Sequence, residues 1–209
     1  MPDSPLTRIA AMLPGFLLAI VLHEVAHGYV AYRLGDDTAK RAGRLTLSPI
    51  AHLDPFGTIF FIVSSLAGLG FGWAKPVPVV IERLRNPRRD EILVTLAGPA
   101  ANLLQAFAWA FVLRLVLHLG HVALVIICVW GVAINVLLMI FNLLPIPPLD
   151  GSHVAFRLLG YDNPHLADRL APLGFVALIL LIYTGLFDIL TRVLVSPIVG
   201  RLLPPGLYF

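Results

Sequence analysis

The stretch that decides the fold is Val21–Tyr32, "VLHEVAHGYVAY". It sets His23, Glu24 and His27 inside an apolar run. The fourteen residues before it, Ile9–Leu22, carry neither a charge nor a polar side chain. A run of this kind followed by three ionisable groups reads as a membrane segment that carries chemistry. An ionisable side chain at membrane depth costs about 2.5–3.5 kcal/mol on insertion scales, and such residues mark functional sites. With Ile9 at the outer edge, the helical rise puts His23 about 21 Å into a hydrocarbon layer of roughly 30 Å. That is too deep for a headgroup residue.

The rest of the chain supports the membrane reading. It is 58% hydrophobic and 13% charged, with mean hydropathy +0.88. Soluble domains carry roughly 25% charged residues. Uncharged windows at Pro55–Ala74, Ile92–Leu113, Val122–Leu149 and Leu170–Phe187 approach or exceed the span of about 20 residues a bilayer needs. The expected fold is an all-α polytopic membrane protein with about four full transmembrane helices. It forms a single domain over residues 1–209, with a core about 9–160 and a final transmembrane helix about 170–195. No basic segment precedes the first span, so no cleaved leader is expected. Cys128, the one cysteine, lies in an apolar run and reads as a packing residue. The pI of 9.4 is accounted for by basic loops beside an anionic membrane, without nucleic acid.

HExxH on a helix places two imidazoles one turn apart on the same face, close enough to share one zinc ion. Glu24, beside the first histidine, can take a proton from a water that the metal activates and pass it on. A catalytic zinc uses three protein ligands and keeps a fourth position open. The best third ligand is in "FNLLPIPPLDGSH", Phe141–His153. Pro145, Pro147 and Pro148 break any helix there, and Gly151 lets the chain turn directly after Asp150. Irregular backbone at membrane depth is tolerated only where it is buried in protein or lines a cavity. His153 is a rival ligand, and a turn aspartate capping the next helix is the plain alternative for Asp150.

These motifs, taken together, resemble the site-2 protease family of intramembrane zinc metalloproteases, peptidase family M50, in its short form without a PDZ domain. The resemblance rests on His23-Glu24-x-x-His27, on Gly98-Pro99-x-x-Asn102, on Asn142-x-x-Pro145-x-Pro147-x-Leu149-Asp150-Gly151 and on Gly43–Thr58. It implies one zinc per chain, held by His23, His27 and Asp150, with Glu24 as general base and acid. It also implies that Asn102 and Asn142 hold the substrate backbone or polarise the scissile carbonyl. Interhelical hydrogen bonding is the competing role for both asparagines.

Charge placement gives an orientation. Gly35–Glu91 holds eight of the fifteen lysines and arginines, which puts this stretch in the cytoplasm. HExxH then lies toward the cytoplasmic half, Val122–Leu144 brings Asp150 to the same side, and Leu170–Val195 makes the final exit. The active site of a protein in the cell (inner) membrane would thus face the cytoplasm. If Pro55–Ala74 crossed fully, Asp150 would fall on the wrong face, so a re-entrant or short membrane element is expected there. Its glycines, Gly57, Gly68, Gly70 and Gly72, favour that. "RLTLSPIAHL" and "KPVPVVI" read as short β elements flanking it. His52 and Asp54 read as a turn, and Asp188 and Arg192 as an i,i+4 ion pair.

The expected activity is hydrolysis of peptide bonds in or near transmembrane segments of other membrane proteins. Partners are then substrate helices, including pre-cleaved ones, and the lipid bilayer, with no nucleic acid and no assigned oligomeric state. The rival functions are a non-hydrolytic metal-binding protein or transporter, and a catalytically inactive scaffold. A transporter needs a path of ionisable residues along its spans. Apart from Arg114, charges in these spans lie near their ends or at the proposed site.

Overall fold

The computed structural model describes residues 4–66, 72–163 and 165–207. Four helices are long and apolar enough to cross a membrane: α1 (Pro5–Arg33), α4 (Pro87–Leu117), α5 (Val122–Asn142) and α7 (Leu166–Tyr183). Shorter helices are α2 (Thr38–Arg41), α3 (Pro55–Leu66), α6 (Asp150–Leu158), α8 (Leu186–Leu190) and α9 (Ser196–Leu202).

α1, α4 and α5 form the core, and small residues draw them together. Gly15 of α1 lies against the backbone of Gly131 in α5, and Gly131 lies against the ring of Trp109 in α4. Side chains larger than hydrogen at these crossings would push the helices apart. Lipid tails are as apolar as leucine, so close packing and interhelical hydrogen bonds hold membrane helices together. The surface is accordingly rich in apolar side chains, and a few polar groups are buried within. Asn102, Asn135, Glu91 and Arg157 are buried, while Leu104, Phe107, Phe111, Ile179 and Tyr183 are exposed.

The expected short strands are absent among the described residues. The only pairing of that kind is one isolated antiparallel bridge between Leu53 and Ala74. Pro76 and Pro78 remove two main-chain donors from the second segment, so a ladder cannot run along it. Carboxylates hold it instead: Val77 N–H donates to Glu24 Oε2 (2.7 Å) and Val80 N–H to Asp36 Oδ2 (2.7 Å). The β-branched residues signal an extended chain, and the chain is extended without a partner strand.

α3 has twelve residues, about 18 Å at 1.5 Å per residue and too short to cross. The chain before and after it is joined by the Leu53–Ala74 bridge and by Lys75 N–H donating to His52 O (2.8 Å). Both ends of the 55–74 segment therefore stand at the same place. Gly68 and Gly70 lie outside the described residues.

The last apolar stretch also departs from expectation. Instead of one helix over 170–195, α7 ends at Tyr183, and Gly185 adopts φ 75°, a left-handed conformation that favours glycine. A second helical stretch then begins. Leu186–Leu202 is helical throughout, with a π turn at Thr191–Val195. Phe187, Val195, Val199 and Leu203 pack on the core formed by α4 and α5. The π turn changes the number of residues per turn, and Asp188 and Arg192 form no ion pair.

Candidate metal centre

The HExxH face of α1 packs on α4. Gly98 lies where the two imidazoles approach: a Cβ there would stand 2.3 Å from His27 Nε2 and 2.6 Å from His23 Nε2. Glycine at this position lets both rings lie against the α4 backbone. Each ring is tied at its other nitrogen. His27 Nδ1–H donates to the main-chain carbonyl of Val94 (2.7 Å), and His23 Nδ1–H to the side-chain oxygen of Asn102 (2.6 Å). The tautomers follow from the partners, since a carbonyl oxygen can only accept.

Asn102 is in turn fixed. It is fully buried, and its amide donates to Ala19 O (3.2 Å) and Asn135 Oδ1 (3.0 Å), while Asn135 donates to Gly131 O (2.9 Å). With both donors spent on acceptors, the oxygen must face His23. A chain of hydrogen bonds thus runs from α5 through α4 to the ring on α1.

With both protons at Nδ1, the two Nε2 lone pairs point into one space. They stand 3.0 Å apart, and Asp150 Oδ2 completes the triangle at 3.3 Å from His23 Nε2 and 3.4 Å from His27 Nε2. Asp150 opens α6, where the proline-rich loop ends. Three acceptors converging with no proton between them repel one another unless a cation stands among them. Tetrahedral ligands 2.0–2.1 Å from zinc lie about 3.3 Å apart, which is the size of this triangle. The donor set, two nitrogens and a carboxylate oxygen, also suits zinc. Among the described residues no other group of three or more His, Cys, Asp or Glu side chains is arranged to hold a metal.

Glu24 lies beside the centre. Its Oε2 accepts from Val77 N–H, and it lines a cleft of about 540 Å³ with His23, His27, Asn142 and Asp150. Asn142 donates to Leu138 O (3.0 Å) and keeps a place on the cleft wall. The structure thus brings His23, Glu24, His27, Asn142 and Asp150 to one cleft and places Asn102 behind the His23 ring. His153 also borders the cleft, but its Nδ1 faces Glu91 at 3.4 Å and it is not one of the converging ligands. His52 is buried and donates to Thr46 O (2.8 Å), and Asp54 caps α3 by accepting from Gly57 N–H (2.8 Å). Neither joins the centre.

Comparison with known proteins gives the family. The sequence profile of peptidase family M50 matches residues 118–182, a stretch that contains Asp150 but not the histidines. YwhC of Bacillus subtilis (strain 168) is 40% identical over 190 residues, 87% of this chain and 84% of YwhC. The chain belongs to peptidase family M50. Rip2 of Mycolicibacterium smegmatis is 31% identical over 183 residues, 83% of this M50 chain and 66% of Rip2. MJ0611 of Methanocaldococcus jannaschii is 32% identical over 134 residues, 64% of the M50 chain and 63% of MJ0611. All three are named putative zinc metalloproteases. No solved structure matches. The M50 chain is thus a homologue of site-2-type zinc metalloproteases, and His23, His27 and Asp150 are the group suited to the metal.

Sequence reasoning missed three contributors to this M50 site. They are the carbonyl of Val94, the carboxylate of Asp36 that pins the 76–80 segment, and the buried pair of Glu91 with Arg157. Main-chain acceptors leave no side-chain signature. A carboxylate and an arginine 66 residues apart offer no spacing to read.

Proposed function

We propose that the chain is an intramembrane protease, which uses one zinc ion to hydrolyse peptide bonds in or next to transmembrane segments of other membrane proteins. The observation that carries the reading is the convergence of the two Nε2 lone pairs with Asp150 Oδ2 in the cleft that Glu24 borders. Zinc bound there supplies Lewis acidity, polarising a carbonyl and lowering the pKa of water to about 7.

The chain's own residues do the rest. Val77 N–H holds one carboxylate oxygen of Glu24, which orients the other toward the cleft. Glu24 accepts the proton of the attacking water and delivers it to the departing amine. Asn142, on the cleft wall, is placed to hold the substrate carbonyl. The extended Pro76–Val80 segment lines the same cleft, and an unwound substrate can lie along it by strand addition. A transmembrane helix must unwind in this way, because its peptide bonds are hidden in i to i−4 pairing.

The basic 35–91 stretch favours a cleft at the cytoplasmic face of the cell membrane, and the joined ends of 55–74 support a re-entrant element that returns to that face. The partners on this reading are substrate helices, including pre-cleaved ones, and the chain acts as one integral-membrane domain.

The test is Glu24→Gln. The variant should keep its zinc and lose hydrolysis of a membrane-protein substrate by roughly 10²–10⁴-fold, the share general acid–base catalysis supplies. Wild-type turnover in the folded variant would remove Glu24 from the chemistry. Hydrolysis without zinc in the wild type would remove the metal.

A further inference from the structure

Three positions on one face of α4 meet the metal centre, and a fourth continues their line. Glu91, Val94, Gly98 and Asn102 follow one another at intervals of three, four and four residues, which is one stripe of a helix. Val94 O and Asn102 Oδ1 accept hydrogen bonds from the Nδ1–H groups of His27 and His23, and Gly98 makes room for the rings. Glu91, at the start of the stripe, reaches α6 instead. Its Oε2 takes the Nε–H of Arg157, and its Oε1 faces His153 Nδ1 at 3.4 Å. The Glu91 and Arg157 side chains are 3% and 6% exposed, so the ion pair is withdrawn from solvent. The contacts of Arg157 lead back to α4. Its Nη1 lies 3.4 Å from Tyr161 O and 3.9 Å from Asp162, and Asp162 meets Arg88 at 3.7 Å.

On α6 the matching residues are Asp150, His153 and Arg157, again on one helical face. Asp150 is the first residue of this nine-residue helix and Arg157 lies seven residues further, about 10.5 Å along the axis. The loop of Pro145, Pro147 and Pro148 sets where α6 begins. A grip at its far end sets which way it faces. A turn of one residue, about 100°, would carry the Asp150 carboxylate out of the triangle.

We propose that Glu91 is a positioning residue of the metal centre: by gripping Arg157 it fixes the rotation of α6 and so sets Asp150 against the two imidazoles. The proposal rests on the zinc reading above. A role in stability alone explains the pair poorly, because apolar residues of similar volume replace buried ion pairs without loss in many proteins. What apolar packing does not supply is a directional bond between α4, which holds both rings, and α6, which holds the third ligand.

The test uses the full chain purified in detergent, with zinc affinity read by competition against a chromophoric chelator. The visible spectrum of the Co²⁺-loaded protein reports ligand number and symmetry. Two variants are compared with wild type: Glu91→Gln, and the double Glu91→Leu/Arg157→Leu, which leaves no buried charge alone. If the single variant does not fold, the double decides. Outer partners of metal ligands typically contribute 10–100-fold in affinity. The double variant should retain wild-type helix content and elution, bind zinc at least tenfold more weakly, and show an altered cobalt spectrum. Wild-type affinity and spectrum in the folded double variant would overturn the positioning role and leave the zinc reading standing. A wild-type chain that binds no zinc would overturn both.

Discussion

The two imidazoles are held by different kinds of acceptor. His23 donates its Nδ1–H to a side-chain oxygen, that of Asn102, which α5 holds in turn through Asn135. His27 donates its Nδ1–H to a main-chain carbonyl, that of Val94. Both arrangements fix the tautomer and aim Nε2 at the metal position. They differ in how they can be lost. A side-chain acceptor disappears with one substitution, and it depends on three helices standing in register. A carbonyl survives any change of its own side chain and depends only on the course of α4.

The substitution with the largest expected effect removes the distinction altogether. Gly98→Ala puts a methyl group within 2.3–2.6 Å of both Nε2 atoms. The rings can move aside only by leaving Asn102 and Val94, so zinc affinity should fall more than 100-fold, beyond the usual reach of an outer partner. Equilibrium dialysis with radioactive zinc measures this, and an alanine variant that binds normally would mean that the rings are not clamped.

Next comes Asn102→Ala. It frees the His23 ring and leaves Asn135 without its donor, and zinc affinity should fall 10–100-fold. The loss of interhelical hydrogen bonds should cost stability by about 0.6 kcal/mol each. A thermal melt of the metal-free protein separates the two effects.

The smallest effect is expected of Val94→Ala. The acceptor is the carbonyl, so zinc affinity should stay within about threefold of wild type even though the residue sits as near His27 as Asn102 does to His23. A loss as large as that of Asn102→Ala would show that the valine side chain, and not its carbonyl, supports the ring.

The same contrast explains how much was legible in the sequence. Zinc chemistry is written in side chains, so His23, Glu24 and His27 stood out by type and spacing, and Asp150 by its place after the prolines. Asn102 was visible within Gly98-Pro99-x-x-Asn102, although its bonds to His23, Ala19 and Asn135 needed the fold. Val94 carried no signal because its contribution is backbone. The four long helices followed from uncharged windows. The strands expected at "RLTLSPIAHL" and "KPVPVVI" did not form: Pro49–Ala51 winds into a 3-10 helix in the first, and Pro76 and Pro78 remove two donors from the second. The helix break at Gly185 was hidden in a continuous apolar window. Hydropathy does not register a change of backbone conformation, and only the glycine after Thr184 hinted at the break.

The order of the ligands along the chain also bears on how the site is made. His23 and His27 lie on the first helix, and Asp150 follows about 120 residues later. At 5–20 residues per second, a ribosome leaves the two histidines without their carboxylate for roughly 6–24 s. α4 emerges within that interval and brings the Val94 carbonyl and Asn102. The rings can therefore be oriented before the last candidate ligand has been synthesised, and capture of a metal by this group would then be a late event of biogenesis, completed only once α6 has been made.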